Sequence, residues 1–140
     1  MPEKLLIVDD EPDMLKLLSM IIREKTSYES VTTNNPLEAI DLAKQGGFDL
    51  IIADLKMPGL DGVELIDAIK RIDEDLPIII ITAYGNVESA LEIMHKGAFD
   101  FITKPFRKEQ ILYTIDKALK LVRLKKENEA LKDRLKKTEG

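Results

Sequence analysis

Short, almost entirely apolar runs recur along the chain and are separated by longer amphipathic stretches. Four of these runs have about the length of a buried strand. They cover residues 5–8, 50–53, 78–81 and 99–102. A weaker fifth run, residues 28–33, is typical of a strand at the edge of a sheet. The pattern therefore predicts five strands.

Between the strands, apolar residues recur with the spacing of one helical face. In the first predicted helix this face consists of Met14, Leu17, Leu18, Ile21 and Ile22. In the fourth it consists of Val87, Ala90, Leu91 and Met94, with the only histidine, His95, beside it. Strand and helix thus alternate five times. Nearly continuous apolar strands are typical of a parallel sheet covered on both faces, so we expect a doubly wound, five-stranded α/β domain.

Several helices have recognisable starts. Asn35 is followed by Pro36 and, three residues after the cap, by Glu38, which is the order of a capping residue, a first-turn proline and a capping-box glutamate. Pro12 occupies a comparable first-turn position in the first predicted helix. The remaining predicted caps are Asp61 and Asn86.

The C-terminal segment has a different character. We expect one domain over residues 1–120 and a helical linker over residues 121–140, because the latter are helix formers without proline or an internal glycine. Steps of three and four place a coiled-coil seam at Leu121, Leu124, Asn128, Leu131 and Leu135. A buried asparagine in such a seam fixes a parallel two-stranded register, which favours a homodimer. An exposed linker helix with a chance leucine pattern is the alternative.

Composition narrows the class of protein. The net charge of -5 argues against direct nucleic acid binding, which needs a basic surface. No cysteine is present, so disulfides and thiolate metal sites are excluded. The first apolar run is too short for a signal peptide, and we expect a cytoplasmic protein without membrane contact.

Polar side chains follow four of the predicted strands. Asp9 and Asp10 follow the first strand, Asp54 the third, Thr82 the fourth and Lys104 the fifth. Ligands of open parallel sheets bind at the carboxyl ends of the strands, so these side chains are expected to converge on one site. Taken alone, the first two aspartates are equally well explained as a solvated helix cap.

Three converging carboxylates repel one another and require a neutralising cation. An all-oxygen ligand set favours Mg²⁺, which pairs readily with phosphate oxygens. A carboxylate can act as the nucleophile of phosphoryl transfer, while an ammonium and a hydroxyl group stabilise the transferred oxygens. Asp54, Lys104 and Thr82 fit those three roles.

Four strings carry a resemblance to a known family. The strings are Val8-Asp9-Asp10-Glu11, Asp54-Leu55-Lys56-Met57-Pro58-Gly59-Leu60-Asp61-Gly62, Ile81-Thr82-Ala83 and Lys104-Pro105-Phe106. Over about the first 120 residues, they resemble the signature of two-component receiver domains. The resemblance implies strand order 2-1-3-4-5 and a histidine kinase as phosphoryl donor.

The resemblance also implies roles for single residues. Asp54 is the expected phosphoacceptor, and the expected metal ligands are Asp9, Asp10, Asp54 and the backbone carbonyl of Lys56. Thr82 and Lys104 are expected to do little before phosphorylation and to contact the phosphoryl oxygens afterwards. Phe101 is the expected aromatic switch, although a packing role explains it equally well from its position alone. The Lys104-Pro105 peptide is expected to be cis.

Further strings are similar to receivers of the NtrC type, which regulate transcription through a sigma-54-dependent ATPase. These strings begin at Gly85, Lys96 and Glu127. No phosphate-binding loop and no helix-turn-helix occur in the chain, so output ATPase and DNA-binding domains are expected in a longer protein. Lys56, Tyr84 and Phe101 depart from commoner receiver patterns.

Two other function classes compete with a receiver. An aspartyl-nucleophile phosphatase of the haloacid-dehalogenase kind needs an Asp-x-Asp after its first strand and a cap segment, whereas Asp9 and Asp10 are adjacent and the loops are short. A scaffold that resembles a receiver but is not phosphorylated typically lacks one of the acidic, threonine or lysine positions, and all are present here. A receiver with another output class also remains open.

Overall fold

A computed structural model describes residues 2–55, 57, 59–83 and 87–139; the side chains of residues 87–89 and 136–139 are not described. Strands and helices alternate as predicted. The strands are β1 (Lys4–Val8), β2 (Glu29–Thr33), β3 (Leu50–Asp54), β4 (Ile78–Thr82) and β5 (Asp100–Thr103). The helices are α1 (Pro12–Lys25), α2 (Pro36–Gln45), α3 (Gly62–Ile72), α4 (Val87–His95) and α5 (Lys108–Glu139).

The five strands form one parallel sheet in the order β2-β1-β3-β4-β5, which confirms the predicted topology. The central strands β3 and β4 are buried at every position because helices cover both faces of the sheet. Alternate residues of each strand therefore enter two separate apolar clusters, one on each side. All five carboxyl ends lie on the same edge of this sheet.

Two of the predicted caps form side-chain hydrogen bonds, but the capping box predicted at Glu38 does not form, because the Asn35 N–H donates to the Thr33 hydroxyl at 3.1 Å. The Asn35 side chain accepts a hydrogen bond from the Leu37 N–H at 2.9 Å, and Asp61 accepts one from the Glu64 N–H at 2.8 Å. Asn86, the third predicted cap, lies outside the described residues. Within the described ranges, no helix is both long and apolar enough to span a bilayer.

Two predicted helix faces are partly wrong. In α1, Leu18, Ile21 and Ile22 are buried, but Leu17 is 40% exposed. Among the described side chains of α4, Ile93 is the one in the core, while Leu91 and Met94 lie on the surface at 66% and 42% exposure. Both helices carry more apolar residues than one face can hold, so the periodicity alone does not identify which of them is buried.

The last helix continues well past the globular domain. Ile111, Ile115, Ala118 and Leu119 of α5 pack in the core cluster shared with α1. Beyond residue 120 the helix continues to Glu139, as predicted. The four leucines of the proposed seam are 41% to 62% exposed in this single chain.

Candidate functional site

The carboxyl ends of β1, β3, β4 and β5 bring the predicted polar side chains to one edge of the sheet. Asp9, Asp54 and Thr82 are only 2%, 7% and 1% exposed. Asp10 points away from the core and is exposed. The buried members are held by the apolar strands that precede them, so their positions follow directly from the fold. A backbone hydrogen bond links the ends of β4 and β5 at this edge, where the Lys104 N–H donates to the Thr82 carbonyl at 2.8 Å.

Lys104 lies at the centre of the acidic group. Its Nζ is 3.4 Å from Asp54 Oδ2, 3.6 Å from Asp9 Oδ2 and 4.0 Å from Glu11 Oε1. The lysine side chain is 15% exposed, so these ion pairs are partly shielded from water. The expectation that Lys104 has little to do before phosphorylation is therefore wrong, because it already balances the carboxylates at rest.

The electrostatics of the site favour proton and cation uptake. Burial raises the pKa of Asp9 from 3.8 to about 6. Two weaker effects lower this pKa: a hydrogen bond from the Glu11 N–H at 2.9 Å and the Lys104 ammonium. Burial alone would lower the pKa of Lys104, but Asp9, Asp54 and Glu11 outweigh it and raise that pKa above 10.5. Negative charge dominates this edge of the sheet.

The donor set fits a hard divalent cation. One carboxylate oxygen from each of Asp9, Asp10, Glu11 and Asp54 can be chosen so that all four lie within 4.8 Å of one another. Four carboxylates and one ammonium leave a negative balance, and oxygen-only ligands suit Mg²⁺. Sequence reasoning missed Glu11 as a member, although its place directly after Asp9 and Asp10 was a usable signal. Lys56, the predicted carbonyl ligand, lies outside the described residues.

A glycine lets the loop after β3 fold tightly beside the site. The Gly62 N–H donates to the Leu55 carbonyl at 2.6 Å, and a Cβ at residue 62 would lie 2.8 Å from the Leu55 Cα. No side chain fits at that separation. Since Leu55 directly follows Asp54, the close approach helps to hold the end of β3 in place.

Three further residues considered in the sequence are Phe101, His95 and Asp100. Phe101 is half-buried against the cluster that contains Val8 and Ile80, which is compatible with both packing and switching. His95 is exposed on α4, as expected of a helix-surface histidine. Asp100 accepts a hydrogen bond from the Phe101 N–H and pairs with Lys117 at 3.5 Å. The Lys104-Pro105 peptide is cis, as expected. Tyr84 lies outside the described residues.

Known proteins resemble this chain closely. Transcriptional regulatory protein GlrR of Escherichia coli is 36% identical over 118 residues, which are 84% of this chain and 26% of GlrR. Sporulation initiation phosphotransferase F of Bacillus subtilis is 37% identical over 121 residues, covering 86% of this chain and 97% of that protein. The solution structure of the beryllofluoride-activated NtrC4 receiver domain dimer matches with a TM-score of 0.79 at 38% identity, over 84% of this chain and 96% of that one.

The chain spans about a quarter of GlrR but nearly the whole of the Bacillus protein. Residues 5–116, from β1 into α5, match a family of known receivers over the complete sheet and the edge just described. On this match and on the shared fold, the chain belongs to the response regulator receiver domain family of two-component signalling.

Proposed function

We propose that Asp54 accepts a phosphoryl group from a histidine kinase and that Asp9, Asp10 and Asp54 hold the Mg²⁺ this reaction needs. The observation that carries the proposal is the placement of a buried carboxylate at the end of β3, 3.4 Å from the Lys104 ammonium and inside a four-carboxylate cluster. A single structural aspartate would need neither the ammonium nor the surrounding acids.

The proposal gives a task to each side chain. An oxygen of Asp54 bonds to phosphorus while the P–N bond of the donor phosphohistidine breaks, and the imidazole leaves with the bonding electron pair. In this proposal Lys104, whose Nζ is 3.4 Å from Asp54 Oδ2, pairs with the new phosphoryl oxygens, and the Thr82 hydroxyl at the end of β4 donates to them. Bound Mg²⁺ supplies charge neutralisation at the transferred oxygens. Phe101, in the strand next to Thr82, is the proposed reporter of the change.

The proposed domain division is a receiver over residues 1–120 and a linker over residues 121–140. GlrR is about four times as long as its matched region, which supports an output domain controlled by the receiver. The similarity to GlrR supports transcription regulation as that output, and an NtrC-type ATPase that acts on sigma-54 polymerase is the specific form we propose. The runner-up is a free-standing receiver, which the nearly complete overlap with the Bacillus phosphotransferase favours.

We also propose that two chains pair in parallel through the seam from Leu121 to Leu135. The exposed leucines support this pairing, because apolar side chains at a/d spacing on a protruding helix are stabilised by burial against a second helix. The NtrC4 receiver dimer shows that a receiver with this similarity pairs. No nucleic acid contact is proposed for this chain, given its net charge.

Acetyl phosphate and Mg²⁺, followed by intact mass measurement, test the acceptor. The wild-type protein should gain one phosphoryl group, and Asp54→Asn should gain none while remaining folded. Asp61→Asn is the matched control, since Asp61 belongs to the same loop and asparagine preserves its helix cap. A normal adduct on Asp54→Asn would assign the nucleophile to another aspartate.

The same reaction separates the three function classes. Steady release of inorganic phosphate without an adduct would support the phosphatase, and an unchanged mass with no release would support the scaffold. An adduct that forms only with Mg²⁺ supports the receiver mechanism.

A further inference from the structure

A second charged cluster lies at the opposite edge of the sheet from the acidic site. Arg123 Nε donates to Glu3 Oε1 at 2.6 Å, Lys126 Nζ lies 3.3 Å from Asp49 Oδ1, and Lys125 Nζ lies 3.7 Å from Asp75 Oδ1. The three cations lie within four consecutive positions of α5, residues 123–126. The three acids lie just before β1, β3 and β4. We call these six residues the ionic collar.

The two less exposed acids of the ionic collar are fixed by the backbone. Asp49 Oδ2 accepts a hydrogen bond from the Lys4 N–H at 2.9 Å, and the Asp49 N–H donates to the Lys4 carbonyl at 2.8 Å. The Glu3 carbonyl accepts from the Glu29 N–H at 2.9 Å. The side chains of Glu3 and Asp49 are only 24% and 18% exposed, whereas the Lys125 and Asp75 side chains are both more than half exposed. The Asp49 carboxylate is therefore a preformed acceptor, while at Glu3 it is the backbone that is held.

Further contacts strengthen the pair at Glu3. The hydrogen bond from Arg123 lowers the pKa of Glu3 below 4.5, so this carboxylate stays charged at neutral pH. An Arg123 guanidinium nitrogen also lies 3.5 Å from the Tyr28 hydroxyl, which in turn donates to Asp116 at 2.7 Å. Arg123 is thereby tied both to the start of the sheet and to its own helix.

Full burial of apolar side chains does not continue beneath this part of α5, where Val122 is half-buried. Leu119 is the last fully buried residue among the described side chains of the helix, and a cleft of about 730 Å³ lies between residues 122–129 and the loops below them. The ionic collar therefore holds α5 against the receiver for about seven further residues, or roughly 10 Å, beyond Leu119. We infer that the ionic collar fixes the direction in which α5 leaves the receiver, so that the receiver and the protruding helix move as one body. This inference depends neither on phosphorylation nor on dimer formation.

Distances between two spin labels test the inference directly. The chain has no cysteine, so Asp41→Cys on α2 and Asp133→Cys on α5 introduce the only two label sites. Both positions are exposed and lie outside the collar. Labelled protein is diluted into excess unlabelled protein, so that distances within one chain dominate even if chains pair. The intact protein should give one narrow distance distribution.

The collar variant combines Glu3→Gln with Asp49→Asn. It should at least double the width of that distribution, because it loses the charge of both acids. Amides are chosen because they keep the local hydrogen bonds. Glu24→Gln with Glu92→Gln is the matched control, since it removes equal charge from exposed sites on α1 and α4. About 1 M NaCl, with a screening length of about 3 Å, should broaden the intact distribution towards that of the collar variant. An unchanged width in the collar variant, or equal broadening in the control, would overturn the inference.

Discussion

Lys104 forms ion pairs with the acids around it in the unphosphorylated site. At rest its ammonium lies 3.4 Å from Asp54 and 3.6 Å from Asp9, and it offsets part of their repulsion. A divalent cation bound to the same acids must share them with this ammonium. Lys104 is therefore expected to weaken metal binding while it prepares the site for a phosphoryl group.

Substitutions at Lys104 and Asp10 should change Mg²⁺ affinity in opposite directions. Lys104→Gln removes a positive charge and should tighten Mg²⁺ binding by about tenfold, which corresponds to about 1.4 kcal/mol. Asp10→Asn removes a hard ligand and should weaken binding by a similar factor or more. Isothermal titration with MgCl₂ measures both. Equal affinities in the two variants would contradict the ligand assignment.

The response to pH should identify Asp9. Its pKa of about 6 exceeds the ordinary 3.8, so between about pH 4 and 6 the folded protein holds a proton that the unfolded chain releases. Without metal, this carboxyl therefore destabilises the fold as pH rises through that window. Bound Mg²⁺ favours the charged form, so the rise in melting temperature on adding MgCl₂ should be larger at pH 7 than at pH 5. Asp9→Asn should remove most of this difference, and an undiminished difference would assign the proton to another group.

At the scale of elements, the strands were predictable and the buried faces of two helices were not. The runs at residues 50–53 and 78–81 are continuously apolar, as is typical of a strand covered on both faces. Both form central strands of the sheet. Leu17 and Leu91 fit a helical face equally well as a sequence pattern, yet both lie on the surface. Which of several apolar residues is buried depends on where the neighbouring strand lies, and that information is absent from the local sequence.

The loop between β3 and α3 depends on its glycine for a steric reason. Gly62→Ala would place a Cβ 2.8 Å from the Leu55 Cα, which is backbone and cannot rotate away. We expect a loss of about 1–3 kcal/mol of unfolding free energy, together with slower phosphorylation of Asp54, because the end of β3 must shift. Urea unfolding and the rate of adduct formation measure the two effects.

Gly59→Ala provides the comparison for that prediction. Gly59 has a φ of +88°, and nothing lies within 4 Å of a Cβ there. The substitution should cost about 1–2 kcal/mol through backbone strain alone. If both variants slowed phosphorylation equally, the close contact at Gly62 would not be what holds Asp54.

At the scale of the whole molecule, α5 carries two faces, one towards the receiver and one with the predicted seam. Ile111, Ile115 and Val122 face the receiver, while Leu124, Asn128 and Leu131 belong to the seam. At about 100° per residue the two faces lie roughly 150° apart. The receiver therefore leaves the seam open to a second helix. Sequence spacing predicts the seam, because its period is local, but it could not predict the contact between Glu3 and Arg123, which joins residues 120 positions apart.

Charge placed in the seam should separate the chains. Leu124→Lys with Leu131→Lys sets lysines at facing d positions, where unpaired charges cannot be buried, and should give a monomer. Ala130→Lys with Asp133→Asn adds the same charge at outward positions of the same helix and should remain a dimer.

Asn128→Leu should raise coiled-coil stability but relax the choice of oligomer, because the buried amide specifies register at a cost in stability. Sedimentation equilibrium at tens of micromolar distinguishes these cases. A monomeric wild type, or a double-lysine variant that still pairs, would refute the seam and leave the receiver family assignment unchanged, because that assignment rests on residues 5–116.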